Sequence, residues 1–371
     1  MNPAINELRR EPSRFAPPTT ILTLIALLLM FLGGLLDGLI RNSTGAVNAI
    51  DTDLIVFSES SQGSFLRSRI EPETRQAIED AVGTTSGGLG VTLLGARVPG
   101  NGPRDLANVA VWGYESPIEG VPAPPAAGTG WADERLRADG VEVGDELLVG
   151  PSRTPVMVAG WVSNTAYNGQ SSLWVDVETW HTVLNQNRPD AALAPGVFQA
   201  LAVSAPEGGS PESAAATIAA VDPEGDLLVL TVAETRDAIP GVTEQQRTFN
   251  QILGVTVLIA LVVVALFFAL LTVERTSLYA VFKALGAGTR SIFIGLVAQA
   301  IAVTTVAALL AAVAVVAIDA ALPAGSVPLF VSLQRIIVST LLLFVAAVVG
   351  CAFSLRRVLR VDPATARGGS S

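Results

Sequence analysis

The chain has 371 residues, 50% of them hydrophobic and only 15% charged. Soluble domains carry about 25% charged residues, so this composition and a mean hydropathy of +0.51 exclude an ordinary soluble domain. A formal charge of −10 excludes nucleic acid as an expected partner, because phosphate contacts need basic surface.

The chain opens with Arg9, Arg10 and Arg14 and then runs apolar from Ile21 to Ile40, broken only by Asp37 near the far end. About 20 apolar residues suffice to span a bilayer. Val47-Asn48-Ala49 resembles a signal-peptidase site, but the apolar core exceeds the usual ~7–15 residues of a leader, so a retained span is expected.

A polar segment follows, from about residue 42 to 247. Short Val-rich runs predict strands at Asp53–Phe57, Val91–Val98, Val109–Tyr114, Thr154–Val162, Leu173–Val177, Phe198–Ser204 and Leu227–Val232. Helices are predicted at Pro72–Val82, Ala132–Ala138, Glu178–Asn185 and Pro211–Val221, two of them starting on the proline that suits a first helical turn. The Pro/Ala/Gly-rich stretch Ile118–Gly130 reads as a linker between two subdomains. Glu234–Asn250 reads as a helical stalk broken at Pro240-Gly241.

Three further spans are predicted at Gln251–Val273, Ser291–Ile318 and Ile336–Leu355, all free of charge. Arg275, Lys283 and Arg290 lie between the second and third, and Arg356, Arg357, Arg360 and Arg367 follow the fourth. Basic loops mark the cytoplasmic side, so both termini are expected inside and residues 42–247 outside. That segment holds 27 acidic and 11 basic side chains, a net of −16, leaving +6 for the remainder. The single cysteine, Cys351, permits no intrachain disulfide, so the outer domain must rest on its core.

Between the second and third spans, Leu278, Val281, Phe282 and Leu285 fall at i, i+3, i+4 and i+7, one apolar face of a short helix that Gly286 and Gly288 would end. By spacing alone it either fits a groove on a soluble partner or rests on lipid headgroups.

The stretch Glu274-Arg275-Thr-Ser-Leu278-Tyr279-Ala-Val281-Phe282-Lys283-Ala-Leu285-Gly286 resembles the cytoplasmic segment of FtsX-like ABC permeases, and Arg357–Arg367 resembles their "DPAxA" ending. The order of segments in Ala132–Leu184 is similar to the MacB-type periplasmic domain. The layout is closest to the short four-span DevC/HrtB-like branch. The resemblance implies four transmembrane helices with a MacB-type α/β extracytoplasmic domain inserted between the first and second. It divides the chain into a cytoplasmic segment (1–17), helix 1 (18–41), the outer domain (42–233), and a stalk with helix 2 (234–273). A coupling helix (274–290), helix 3 (291–318), an outer loop (319–334), helix 4 (335–355) and a cytoplasmic tail (356–371) complete it.

The resemblance further implies a bacterial plasma-membrane protein that assembles as a homodimer on a separate ATP-binding subunit. Glu274, Arg275, Leu278, Tyr279, Val281, Phe282, Lys283, Leu285 and Gly286 would make the coupling contact. ATP and Mg would be held by that partner, with no cofactor in this chain. The expected work is export of an amphipathic or hydrophobic compound such as haem, a lipid, a peptide or an antibiotic. The alternative is a mechanotransmission device that moves nothing and controls an extracytoplasmic protein.

The residues themselves display no catalytic set. No G-x-x-x-x-G-K-[ST] loop occurs, so ATP hydrolysis is not expected here and the chain reads as no enzyme. His181 is the only histidine, which excludes a multi-histidine metal site, and it reads as a solvated surface residue. Asp37 is the one ionisable group embedded in a span; it could line an outward vestibule or pair with Arg335, while Arg41, four residues on, offers a local partner. Tyr114, Tyr167, Met30 and Met157 read as core.

Overall fold

A computed structural model of the chain describes residues 12–102, 104–274, 289–322 and 327–358. It forms two compact units, Met1–Gly38 with Arg247–Ser371, and Leu39–Gln246. The elements run α1 (Pro12–Asn48), β1 (Leu54–Ser58), α2 (Pro72–Val82), β2 (Gly87–Arg97), β3 (Leu106–Tyr114) and β4 (Thr129–Asp133). They continue with β5 (Glu146–Val149), β6 (Thr154–Val162), β7 (Ser171–Val175), α3 (Val177–Asn187), β8 (Ala200–Val203) and α4 (Pro211–Ala220). The chain then gives β9 (Leu227–Thr231), α5 (Val232–Ala238), α6 (Val242–Glu274), α7 (Thr289–Ala321) and α8 (Leu333–Val358).

In the first unit α1, α6, α7 and α8 each carry a stretch long and apolar enough to cross a membrane. Its interior mixes small residues with Leu29, Met30, Val303 and Leu343, while its outside is covered with large apolar side chains, as no soluble bundle would tolerate. Ala260, Ala300, Ala307, Ala311, Ala346 and Ala347 are buried. Leu258, Leu266, Leu309, Val313 and Val345 lie outward, each more than half exposed. Lipid tails are as apolar as leucine, so helices in a bilayer gain by close backbone approach through small residues. At Gly350 a Cβ would stand 3.0 Å from both the Leu261 carbonyl oxygen and the Ala265 nitrogen, so α8 meets the backbone of α6.

The second unit is a nine-stranded sheet whose pairing closes on itself. The strand order is β3-β7-β4-β6-β5-β2-β8-β1-β9, and β2 also pairs with β3, closing a ring of six strands from which β8, β1 and β9 extend. The eleven residues of β2 make this possible. Gly87–Leu89 pair with β8, Ala96 and Arg97 pair with β5, and Leu89–Arg97 pair throughout with β3.

Pro72 and Pro211 occupy first-turn positions of α2 and α4, as their missing N–H favours. Gly83 stops α2 at φ 78°, a left-handed conformation that costs glycine nothing. Asp176 caps α3 by accepting from the Glu178 and Thr179 amides. The α5–α6 break falls at Ile239–Gly241, where Gly241 has φ 85°.

Three sequence expectations are corrected by the fold. Ala132 lies in β4, paired with Leu173 and Trp161, and only Glu134–Asp139 turn helically, as a 3₁₀ segment. Buried Asp133 makes that junction: its Oδ1 accepts from Arg135 N at 3.0 Å and its Oδ2 from Thr165 N at 3.2 Å. Ile118–Gly130 does not separate a pair of subdomains, because Ile118 and Trp131 pack into one core with Trp112 and Trp174. Met157 is not core but 46% exposed, since alternate residues of β6 face outward.

Burial of Tyr167 (5% exposed) lifts its phenol from 10.0 to about 12. The folded chain therefore holds that proton longer than the unfolded chain. Tyr167 contributes stability that is present below pH 10 and lost as pH rises towards 12. Burial raises the phenol of Tyr114 as well, so an ultraviolet tyrosinate titration should show two late-titrating phenols, and a single step near pH 10 for all three tyrosines would refute their burial.

Candidate functional site

Asp37 lies on the face of α1 that carries Gly33, Gly34 and Gly38, and three glycines so placed leave a shallow trough of bare backbone. The segment before α8 fills it. Phe330 N donates to the Gly34 carbonyl at 3.0 Å, and a Cβ on Gly34 would stand 3.1 Å from Leu329 Cδ1. At Gly38 a Cβ has no room against the Pro328 carbonyl. Irregular backbone at a spanning helix survives only where protein satisfies its polar groups, and the Gly34 carbonyl does so here. Ser332 then caps α8 by accepting from Arg335 N at 3.0 Å.

That cap aims Arg335 back at α1. Its stem crosses Gly33, where a Cβ would stand 2.5 Å from Cδ, and its guanidinium engages Asp37 with two bonds. Nε donates to Oδ2 at 2.8 Å and Nη2 donates to Oδ1. The two side chains are 26% and 22% exposed, so the fork-on-carboxylate geometry works largely out of water. Sequence reasoning named Asp37 and Arg335 and missed the glycines and Ser332. The Gly34-x-x-x-Gly38 spacing was the signal that could have found them.

Arg41 lies one turn further along α1. Glu274 is the last residue of α6, and the other coupling candidates, Arg275, Leu278, Tyr279, Val281, Phe282, Lys283, Leu285 and Gly286, lie outside the described residues.

The lone histidine departs from its expected surface role. His181 is half-buried on α3, and both ring nitrogens are buried without a hydrogen-bond partner among the described residues. Its ring centroid is 4.7 Å from that of Trp180 and 6.2 Å from that of Phe198. Burial pulls its pKa below the ordinary 6.5, so the ring is neutral at pH 7.

A family model described as FtsX-like permease C-terminal matches residues 250–363. A hemin transport system permease protein HrtB of Staphylococcus epidermidis is 21% identical over 370 residues, covering 100% of this chain and 99% of its own. The protein of the same name from Staphylococcus haemolyticus is 20% identical over 375 residues, with the same coverage. A solved extracellular domain of the noncanonic ABC-type transporter YknZ from Gram-positive bacteria aligns to 49% of this chain and 100% of its own. That likeness has 13% identity and a TM-score of 0.33.

Proposed function

The chain is an FtsX-like permease, and from that premise we propose that it works with a separate ATP-binding subunit to export a hydrophobic or amphipathic compound, haem first among the candidates. The observation that carries this reading is the match over residues 250–363, which takes in the last three spans and the segment joining the first two of them, in a chain with no phosphate-binding loop of its own. The name of the full-length relatives turns the choice of compound towards haem.

In this reading the chain sits in the plasma membrane as a homodimer with both termini in the cytoplasm and the α/β unit outside. The basic residues before α1 and after α8 support that sidedness. Residues 274–290 are the coupling contact, and their apolar face at Leu278, Val281, Phe282 and Leu285 supports it. ATP and Mg belong to the partner subunit. Closure of the ATP-binding subunits needs only to shift a two-state equilibrium of the permease dimer.

The test is ATPase activity of the co-purified complex in nanodiscs with and without hemin, lipids and a panel of antibiotics. Hemin is expected to stimulate, and Phe282→Asp with Leu285→Asp should abolish that stimulation, because an unpaired charge in an apolar contact costs more than the 1.4 kcal/mol that is about tenfold in coupling. Activity indifferent to every compound would overturn export. It would favour the second reading, control of an extracytoplasmic protein, for which the −16 charge of residues 42–247 suits a basic partner.

A further inference from the structure

The sheet of the α/β unit has one open edge among the described residues. Six strands close into a ring, and β8 and β1 are paired on both sides, which leaves β9 (Leu227–Thr231) bonded to β1 alone. The side chains of β9 are already engaged. Leu227 and Val229 pack against the cluster that holds Ala214 and Ile218 of α4, and Leu228 and Leu230 against the one that holds Ile239 and Val242. What lies open is backbone. Bare strand edges invite a further strand, and proteins usually blunt them with lysine, proline or a bulge. Leu227–Thr231 contains no lysine or proline, and its register with β1 runs without a bulge.

The register fixes which groups face outward. Glu59 N donates to the Asp226 carbonyl at 2.6 Å, so Glu59 and Asp226 form a hydrogen-bonded pair of the antiparallel ladder. Bonded pairs alternate. Leu228 and Leu230 therefore turn their N–H and C=O towards β1, and Leu227, Val229 and Thr231 turn theirs away. Two of those three donors are occupied: Asp222 Oδ2 accepts from Leu227 N at 2.7 Å, and Glu234 Oε2 accepts from Thr231 N at 2.8 Å. Val229 is left at the centre with its N–H and C=O both turned outward, and neither has a partner among the described residues. Acidic side chains stand at both ends of this edge, with Glu59, Glu224 and Asp226 exposed at one and Asp53 and Glu234 at the other. Residues 222–237 hold five acidic side chains and one basic, Arg236, which Asp237 engages at 2.9 Å.

A second copy of this chain is a poor occupant of the edge. Two-fold pairing centred on Val229 would bring Glu224 and Asp226 of one copy towards Glu234 of the other, and like charges across a strand pair are destabilising. The chemistry that fits is an extended segment with apolar side chains at its middle and Lys or Arg at both ends. Main-chain bonds to Val229 then supply affinity, and the flanking cations meet the carboxylates and set the register. We propose that the β9 edge docks such a segment of another protein on the same side of the membrane, taken up as a tenth strand of the nine-stranded sheet. The proposal goes beyond the export reading and holds whichever compound the permease moves.

The experiment uses the full chain in nanodiscs of phosphatidylcholine, without ATP or hemin, so its outcome is separate from that of export. The probe is a fluorescent peptide, Lys-Arg-Val-Thr-Val-Thr-Val-Arg-Lys, followed by anisotropy, with amide hydrogen exchange read over residues 227–231. The wild type should bind it, and the Val229 amide should exchange more slowly in the complex. Val229→Pro removes the outward N–H at a place where an edge strand tolerates proline, and it should weaken binding at least about tenfold. Glu224→Lys with Asp226→Lys should also weaken binding and flatten its dependence on salt. The proposal is overturned if the wild type does not bind, if its Val229 amide is unchanged by the peptide, or if a peptide of the same charges with prolines at its middle binds equally. A Val229 amide already slow without peptide assigns the edge to a second copy and overturns the proposal as well. The exchange result decides even if Val229→Pro folds poorly.

Discussion

Replacing Arg335 by alanine is expected to destabilise the helical unit by about 3 kcal/mol, the lower end for removing one partner of a buried ion pair. The loss is large because Asp37 would stay in its trough on α1 without the two donors that now satisfy it. Asp37→Ala should cost less, since a guanidinium on a long stem can reach for water where a carboxylate one carbon from its backbone cannot. A double-mutant cycle read from thermal unfolding in detergent should return a coupling well above the ~1 kcal/mol ceiling of surface pairs. Exchanging the charges, Asp37→Arg with Arg335→Asp, should restore only a fraction of the loss. The glycine at 33 accommodates a stem arriving from α8, and no such space is made for one leaving α1. Single variants each within about 0.5 kcal/mol of wild type would show the pair to be an ordinary surface contact. For function, Asp37→Ala that keeps both assembly and hemin-stimulated ATPase would remove Asp37 from any transport pathway.

Trp112→Ala should cost the α/β unit about 3–5 kcal/mol. The indole is fully buried and its Nε1 has no partner among the described residues, so no hydrogen bond is lost with it. What is lost is a four-ring cluster. Trp112 stacks on Trp174 at 5.1 Å and 22°, and meets Phe65 and Tyr167 edge-on at 5.1 and 5.0 Å. Those rings come from β3, β7 and the loops before α2 and after β6, so a cavity at Trp112 loosens places far apart in sequence. The urea midpoint of this unit in the full chain should fall accordingly, and Trp112→Phe should fall less. A loss under about 1 kcal/mol for alanine would mean that the neighbours collapse freely into the space.

Much of the site's chemistry was visible as residue types and little of it as partnerships. Asp37 is conspicuous because a carboxylate in a span is rare, yet its engagement by a residue 298 positions away depended on the α8 cap and the α1 glycines. His181 was conspicuous only by being alone. Its neighbours in sequence gave no sign that both its nitrogens would be buried beside the rings of Trp180 and Phe198.

Whatever a single element encodes locally was legible in the residues themselves. Four apolar stretches dictate four spans, Pro72, Gly83 and Pro211 set helix ends, and the valine runs place most strands, because hydropathy and backbone preference act within one turn or one strand. Thr129–Asp133 and Glu146–Val149 have no such local signature. Their backbones are strands because β6, β7 and β2 supply the hydrogen-bonding edges. Closure of the six-strand ring, the partner of Asp37 and the burial of His181 likewise arose only in the folded chain. Each is a contact between segments distant in sequence, whose free energy exists only once the intervening chain has been folded to bring them together.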